Sequence, residues 1–115
     1  GPLTDLYGQE GAQLEEEVIN ANHYAARIAI LETFLLKRLI DKNNMDALTA
    51  ASVDALLALK GQLSVDQLAE QQSASRRQLE RRFATTVGLS PKHLAKIIRL
   101  QQTLKTVYQL SLPGC

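Results

Sequence analysis

The chain has no tryptophan, and aromatic residues make up 4% of its 115 positions, so its core must be built from aliphatic side chains. It has a single cysteine, Cys115, at its last position. One thiol cannot close a disulfide within the chain. That excludes a small disulfide scaffold and fits a reducing compartment, with the cytoplasm as the expected location. No apolar run approaches the roughly 18 residues that a membrane span needs. The pattern of a secretory leader, a basic start followed by an apolar stretch, is also missing. The alternation of apolar and polar residues that marks strands appears nowhere, and there is no internal repeat. His23 and His93 stand alone in the sequence. No group of residues has metal-ligand spacing, no glycine loop could cradle a phosphate, and no nucleophile has a paired base. The sequence therefore offers no enzyme site and calls for no cofactor.

What is present is ordinary in amount and uneven in distribution. Apolar residues make up 45% of the chain, as in a globular protein, and the net charge is +1. Residues 1–63 hold 5 Lys/Arg and 9 Asp/Glu, a net −4, whereas residues 64–115 hold 8 Lys/Arg and 3 Asp/Glu, a net +5. A polyanion would therefore meet the second half. The chain starts Gly1-Pro2 and stops at Leu112-Pro113-Gly114-Cys115, which reads as an excised fragment.

Apolar spacing divides the chain into helices. Residues 9–20 read as a short helix with acidic Glu15, Glu16 and Glu17. Asn20 or Asn22 is expected to cap the next helix, over 23–41, because an asparagine side chain accepts from free helix N–H groups. At about 100° per residue, Tyr24, Ile28, Leu31, Phe34, Leu35 and Leu39 share one side of that helix, while Leu36 and Ile40 fall off it. The extra apolar surface would pack on another domain, on a second copy of the chain, or within this chain's own core. A turn at 41–44 leads to a helix over 46–60 carrying Leu48, Val53, Leu56, Leu57 and Leu59, closed by Gly61 at the C′ position.

The most informative stretch begins at Ser64. Ser64-x-x-Gln67 and Ser75-x-x-Gln78 both have the form of a capping box, in which the hydroxyl takes one free N–H and the glutamine reaches back for another. The first starts a helix that runs to about Gln72 and buries Val65, Leu68 and Ala69. The second starts an arginine-rich helix after the short connection Gln72-Ser73-Ala74. That connection has the length of the turn in a helix-turn-helix. With Leu79 at zero, Phe83 lies at about 40°, so these two face the core. Arg77 at about 160° and Arg81 at about 200° point directly away, with Gln78 and Glu80 on the flanks and Arg76 at the N-terminal edge. Two outward arginines one turn apart suit readout of a major groove, since arginine can pair bidentately with guanine O6 and N7. Glu80 would accept from cytosine N4 or orient an arginine. Gly88 ends this helix and Ser90-Pro91 opens the next, with serine as cap and proline at the first helical position. The free start of that helix, with Lys92 and His93 beside it, suits a phosphate. The helix runs about 20 residues, to about Leu110. Leu94, Ile97, Ile98, Leu100, Gln101, Leu104, Val107 and Tyr108 lie on one side of it, with Lys96, Arg99 and Thr103 on the other.

The run Leu68-Ala69, Ser75, Leu79, Arg81, Phe83, Val87-Gly88, Ser90-Pro91 and Arg99-Leu100 resembles the AraC/XylS-type transcriptional regulators. The likeness covers about residues 50–110 and rests on several spaced motifs. Ser73 stands where glycine is common in the turn, and Thr103 where alanine is frequent. The resemblance implies a DNA-binding domain of two helix-turn-helix units joined by a long helix. This chain would supply the first unit and the joining helix, with the second unit beyond Cys115. It also implies that Arg77, Glu80 and Arg81 occupy base-reading positions.

The expectation is therefore an all-α protein, a small helical bundle with one helix-turn-helix followed by a long joining helix. Residues 1–45 would form a helical linker or dimerisation region and residues 46–115 the helix-turn-helix subdomain. The expected partner is double-stranded DNA, read by a recognition helix at about 76–85. Base contacts fall to Arg77, Gln78, Glu80 and Arg81, and phosphate contacts to Ser75, Arg76, Ser90 and Lys92. Any effector would bind a domain outside this chain. The alternative is a self-associating helical fragment, a homodimer through residues 23–41, that binds DNA weakly and without sequence preference.

Overall fold

A computed structural model describes residues 11–14, 16, 23–40 and 44–112, and these form an all-α bundle. Helical residues at 11–14 and 16 are followed by α1 (Tyr24–Leu39), α2 (Ala47–Ala58), α3 (Val65–Gln71), α4 (Arg76–Thr86) and α5 (Pro91–Ser111). No strand occurs among the described residues, and none of their helices is long and apolar enough to cross a membrane.

Local chemistry sets the helix starts. Asn20 and Asn22 lie outside the described residues, and the cap of α1 is instead His23, whose Nδ1 accepts from the Ala26 N–H at 3.3 Å. Asp46 caps α2, accepting from the Thr49 N–H at 3.1 Å and from the Thr49 hydroxyl at 2.7 Å. The box at α3 is complete. The Gln67 N–H donates to Ser64 Oγ at 3.1 Å, and the Ser64 N–H donates to Gln67 Oε1 at 2.9 Å. At α4 half of the expected box forms. Ser75 Oγ accepts from the Gln78 N–H at 3.0 Å, but the return bond from the Gln78 side chain to the Ser75 N–H is not made. Ser90 Oγ takes the His93 N–H at 3.1 Å, with Pro91 opening α5.

The helix ends differ in one respect from expectation. The C′ residue of α2 is Lys60, with φ +55°, and Gly61 with φ +76° follows it at C″. The Gly61 N–H reaches Leu56 O at 2.8 Å and the Lys60 N–H reaches Leu57 O at 3.1 Å, the paired bonds of a Schellman motif. Gly61 is required for a second reason. A Cβ there would stand 2.5 Å from the Ala95 carbonyl oxygen, because the turn lies against α5. The same motif closes α3, with Ser73 left-handed at φ +53°, the Ser73 N–H on Glu70 O and the Ala74 N–H on Ala69 O. The glycine-favouring turn position is thus occupied by a serine.

The core gathers Leu31, Leu35 and Leu39 of α1 with Val53, Leu56, Leu68, Leu79, Phe83, Leu94, Ile97, Ile98 and Leu104. Leu36 and Ile40 are 57% and 77% exposed, so the apolar surplus of α1 does point outward. Five residues that the apolar spacing assigned to these helices stay outside the core. Tyr24, Leu57, Leu59, Leu100 and Val107 are 39%, 39%, 45%, 40% and 36% exposed. Leu57 is one position, about 100°, round from buried Leu56. Leu59 is the C-cap, beyond the last turn that packs. Leu100 and Val107 lie at the margin of a helix whose core face is set by Leu94, Ile97, Ile98 and Leu104. His93, expected at the surface, is buried.

The length of α5 is explained by α1. A groove between them is lined by Ala25, Ile28 and Ala29 on one side and Lys105, Tyr108 and Leu112 on the other. At its other end α1 reaches the turn between α4 and α5, where Arg38 bonds Val87. The two helices therefore run antiparallel, and α1 covers the far end of α5.

Candidate nucleic-acid interface

Helix α4 buries two of its 11 residues, Leu79 and Phe83, both fully. They lie one turn apart, so they turn one narrow stripe to the core and leave the remaining side chains in solvent. Arg77, Gln78 and Arg81 emerge together on a shallow open groove that Ser75, Arg82, Thr85, Thr86 and Asp46 complete. Three arginines in one open groove make a positive surface whose long side chains can extend toward a ligand. Asp46 stands at its rim as an ionised group, because the Thr49 hydroxyl and N–H hold its carboxyl below the usual carboxylate range.

Arg76 turns the other way. Its Nε donates to Glu80 Oε1 at 3.0 Å, and its Nη1 lies 3.5 Å from Asp66. The Glu80 carboxylate raises the Arg76 pKa further, by hydrogen bonding its charged form. Arg76 lines a second groove with Gln62, Ser64, Asp66, Lys92 and Arg99. There Arg99 Nη1 donates to the Gly61 carbonyl at 2.8 Å, which anchors its guanidinium to the α2–α3 turn.

The expected site residues therefore fall into two neighbouring surfaces. Ser75, Arg77, Gln78 and Arg81 share the first, and Arg76 and Lys92 share the second. Glu80 is engaged with Arg76. Ser90 is 8% exposed, and its hydroxyl already accepts the His93 N–H, so it lies apart from both. Asp46, Arg82 and Arg99 were not foreseen. Asp46 carried a legible signal, an acceptor just before a helical run with threonine three positions later. Arg99 belongs to the Arg99-Leu100 pair of the motif run, which carried no site role, and Arg82 carried no signal beyond its charge. Among the described residues no cluster of three or more His, Cys, Asp or Glu could hold a metal ion. No family model, no curated protein and no solved structure matches the chain.

Proposed function

We propose that this chain is a DNA-binding module of a transcriptional regulator, of the AraC/XylS type that its motifs resemble, acting in the cytoplasm and not as an enzyme. The observation that carries the reading is the shared exposure of Arg77 and Arg81 on the face of α4 opposite fully buried Leu79 and Phe83, with Gln78 from the flank lining the same groove. A helix is about 10–12 Å across with its side chains, and the major groove is about 12 Å wide. An exposed helix with a basic outer face therefore fits that groove. Arg77 and Arg81 would pair with guanine O6 and N7, and Gln78 with adenine N6 and N7. Lys92 and Arg76, in the adjoining groove, would take phosphate oxygens and fix the register. Glu80, bonded to Arg76, would hold that guanidinium in place.

The test is selection from a randomised duplex library, followed by binding of the selected duplex and of a scrambled one across a salt series. The expected result is preference for the selected duplex, with affinity for both falling steeply as salt rises. Equal binding of both would sink the sequence-reading claim. A salt-independent affinity would sink the claim of DNA binding altogether.

A second reading is favoured by the outward Leu36 and Ile40. In it, the chain self-associates through the outer face of α1 and binds DNA weakly without sequence preference. Sedimentation across a concentration series separates the two, since a strict monomer at high concentration removes the second.

A further inference from the structure

Arg38 lies in the last turn of α1, yet its Nη1 donates to the Val87 carbonyl oxygen at 3.0 Å, 49 positions along the chain. Val87 is the C-cap of α4. The guanidinium is half-buried and stands over the Phe34 ring, 4.9 Å from its centroid, so the side chain is held from below by its own helix. Burial lowers the Arg38 pKa, but arginine keeps its proton at any ordinary pH. A fixed cation therefore sits at the C-terminal end of α4, where the helix dipole is negative. Gly88 makes room for it. The backbone there has φ +78°, and a Cβ would collide with Arg38 Nη1.

Helix α4 needs such a hold. Leu79, Phe83 and the buried C-cap Val87 follow one another at four-residue intervals on a single stripe, and anchors on one stripe resist tilt but hold roll about that line only weakly. The Ser75 cap and the short turn from α3 fix the N-terminal end. At the C-terminal end the bond from Arg38 joins α4 to a helix outside the helix-turn-helix. The geometry points to Arg38 as a positioning residue for the reading helix: it touches no base, and through Val87 it sets the roll of Arg77 and Arg81. Helix α1 is thereby coupled to DNA discrimination as well as to stability. This inference rests on the DNA-reading function proposed above.

The test compares Arg38→Met, which keeps the packed stem, with the wild-type chain, under conditions where circular dichroism shows both fully helical. Arg38→Lys serves as a second variant if methionine prevents folding. Two readouts are taken. The first is amide hydrogen exchange at Val87 and Gly88, whose N–H groups bond Phe83 O at 2.8 and 2.9 Å. The second is the ratio of affinities for the library-selected duplex and a scrambled one. The expected result is faster exchange confined to the end of α4, with a discrimination ratio lowered by about three- to tenfold, the range in which residues touching no ligand modulate a distant site. The salt dependence of binding to the scrambled duplex should stay unchanged, because phosphate contacts tolerate a small roll. Unchanged exchange at Val87 and Gly88 would overturn the inference. So would an unchanged ratio in a chain whose Arg77→Ala variant does lose discrimination. If the wild-type chain and Arg77→Ala both lack discrimination, the DNA-reading function itself has failed, and the role of Arg38 falls with it.

Discussion

Arg99 Nη1 donates to the Gly61 carbonyl at 2.8 Å, at the place where the backbone of Gly61 presses against Ala95 of the same helix. The turn between α2 and α3 is thus both bonded and sterically fitted to α5. Any side chain at position 61 meets the Ala95 carbonyl oxygen at 2.5 Å and the Arg99 Cγ at 2.8 Å, in a left-handed backbone. Gly61→Ala is expected to destabilise the fold by about 2–4 kcal/mol, from left-handed strain plus overpacking. Urea unfolding should show the midpoint falling with little change in slope, and an unchanged midpoint would contradict the fit.

The opposite sign is expected at Ser73. Its φ of +53° imposes strain on serine that glycine lacks, while glycine carries more entropy in the unfolded chain. Ser73→Gly should stabilise by about 0.5–1 kcal/mol, the balance of those two effects. The same unfolding experiment reads it, and DNA affinity should not change.

Asp46 predicts a pH effect. Its folded pKa is depressed, first by the Thr49 hydroxyl, so its contribution is complete above the unfolded value and is lost as pH falls through the folded one. That places the loss below about pH 4. Asp46→Asn keeps a capping acceptor and removes the titration. Its stability relative to the wild type should therefore improve as pH drops from 5 to about 3. Asp46→Ala should cost about 1 kcal/mol at neutral pH, as loss of a cap does. Thermal melts at a series of pH values check both.

Under the proposed function, base reading and phosphate contact separate by substitution. Arg77→Ala and Arg81→Ala should each lose about 1–3 kcal/mol of discrimination at one or two base pairs. Lys92→Ala should weaken all duplexes alike and reduce the salt slope by about one. Equal behaviour of the three variants would mean that α4 does not enter the groove.

On α1, neighbouring leucines should respond unlike each other. Leu35 is 7% exposed and Leu36 57%. Leu35→Ala is expected to cost about 2–5 kcal/mol. Leu36→Gln should stay within about 0.5 kcal/mol in the monomer. A large loss in both would mean that the outer face of α1 is covered in solution, and sedimentation of Leu36→Gln would then show the partner leaving.

The parts of this fold that were legible in the sequence are those written locally. Ser64, Ser75 and Ser90 each cap a group three residues away, and such short-range bonds need no knowledge of the rest of the chain. The burial of Leu79 and Phe83, and the outward turn of Arg77 and Arg81, follow from helical periodicity about one clear apolar stripe. Periodicity failed where a helix is apolar over a wide arc. In α2 and α5 it could not tell Leu56 from Leu57, or Leu104 from Val107, because the edge of a contact depends on the neighbouring helix. It also could not foresee the bond from Arg38 to Val87, since nothing local marks an interaction across 49 positions. In the candidate site, Arg77 and Arg81 were readable from charge and angle. The pairing of Glu80 with Arg76 and the burial of Ser90 depend on side-chain placement and packing.

The narrow anchoring of α4 bears on how such a protein can change. Of its 11 residues, nine have no part in the core, so their identities are nearly free of folding constraint. Leu79 and Phe83 carry the helix, and the outward positions can be rewritten one at a time at little cost in stability. A scaffold of this kind can diverge in its outward face while its fold stands still. Grafting a different set of outward side chains between Ser75 and Val87 is correspondingly the economical route to redirecting it.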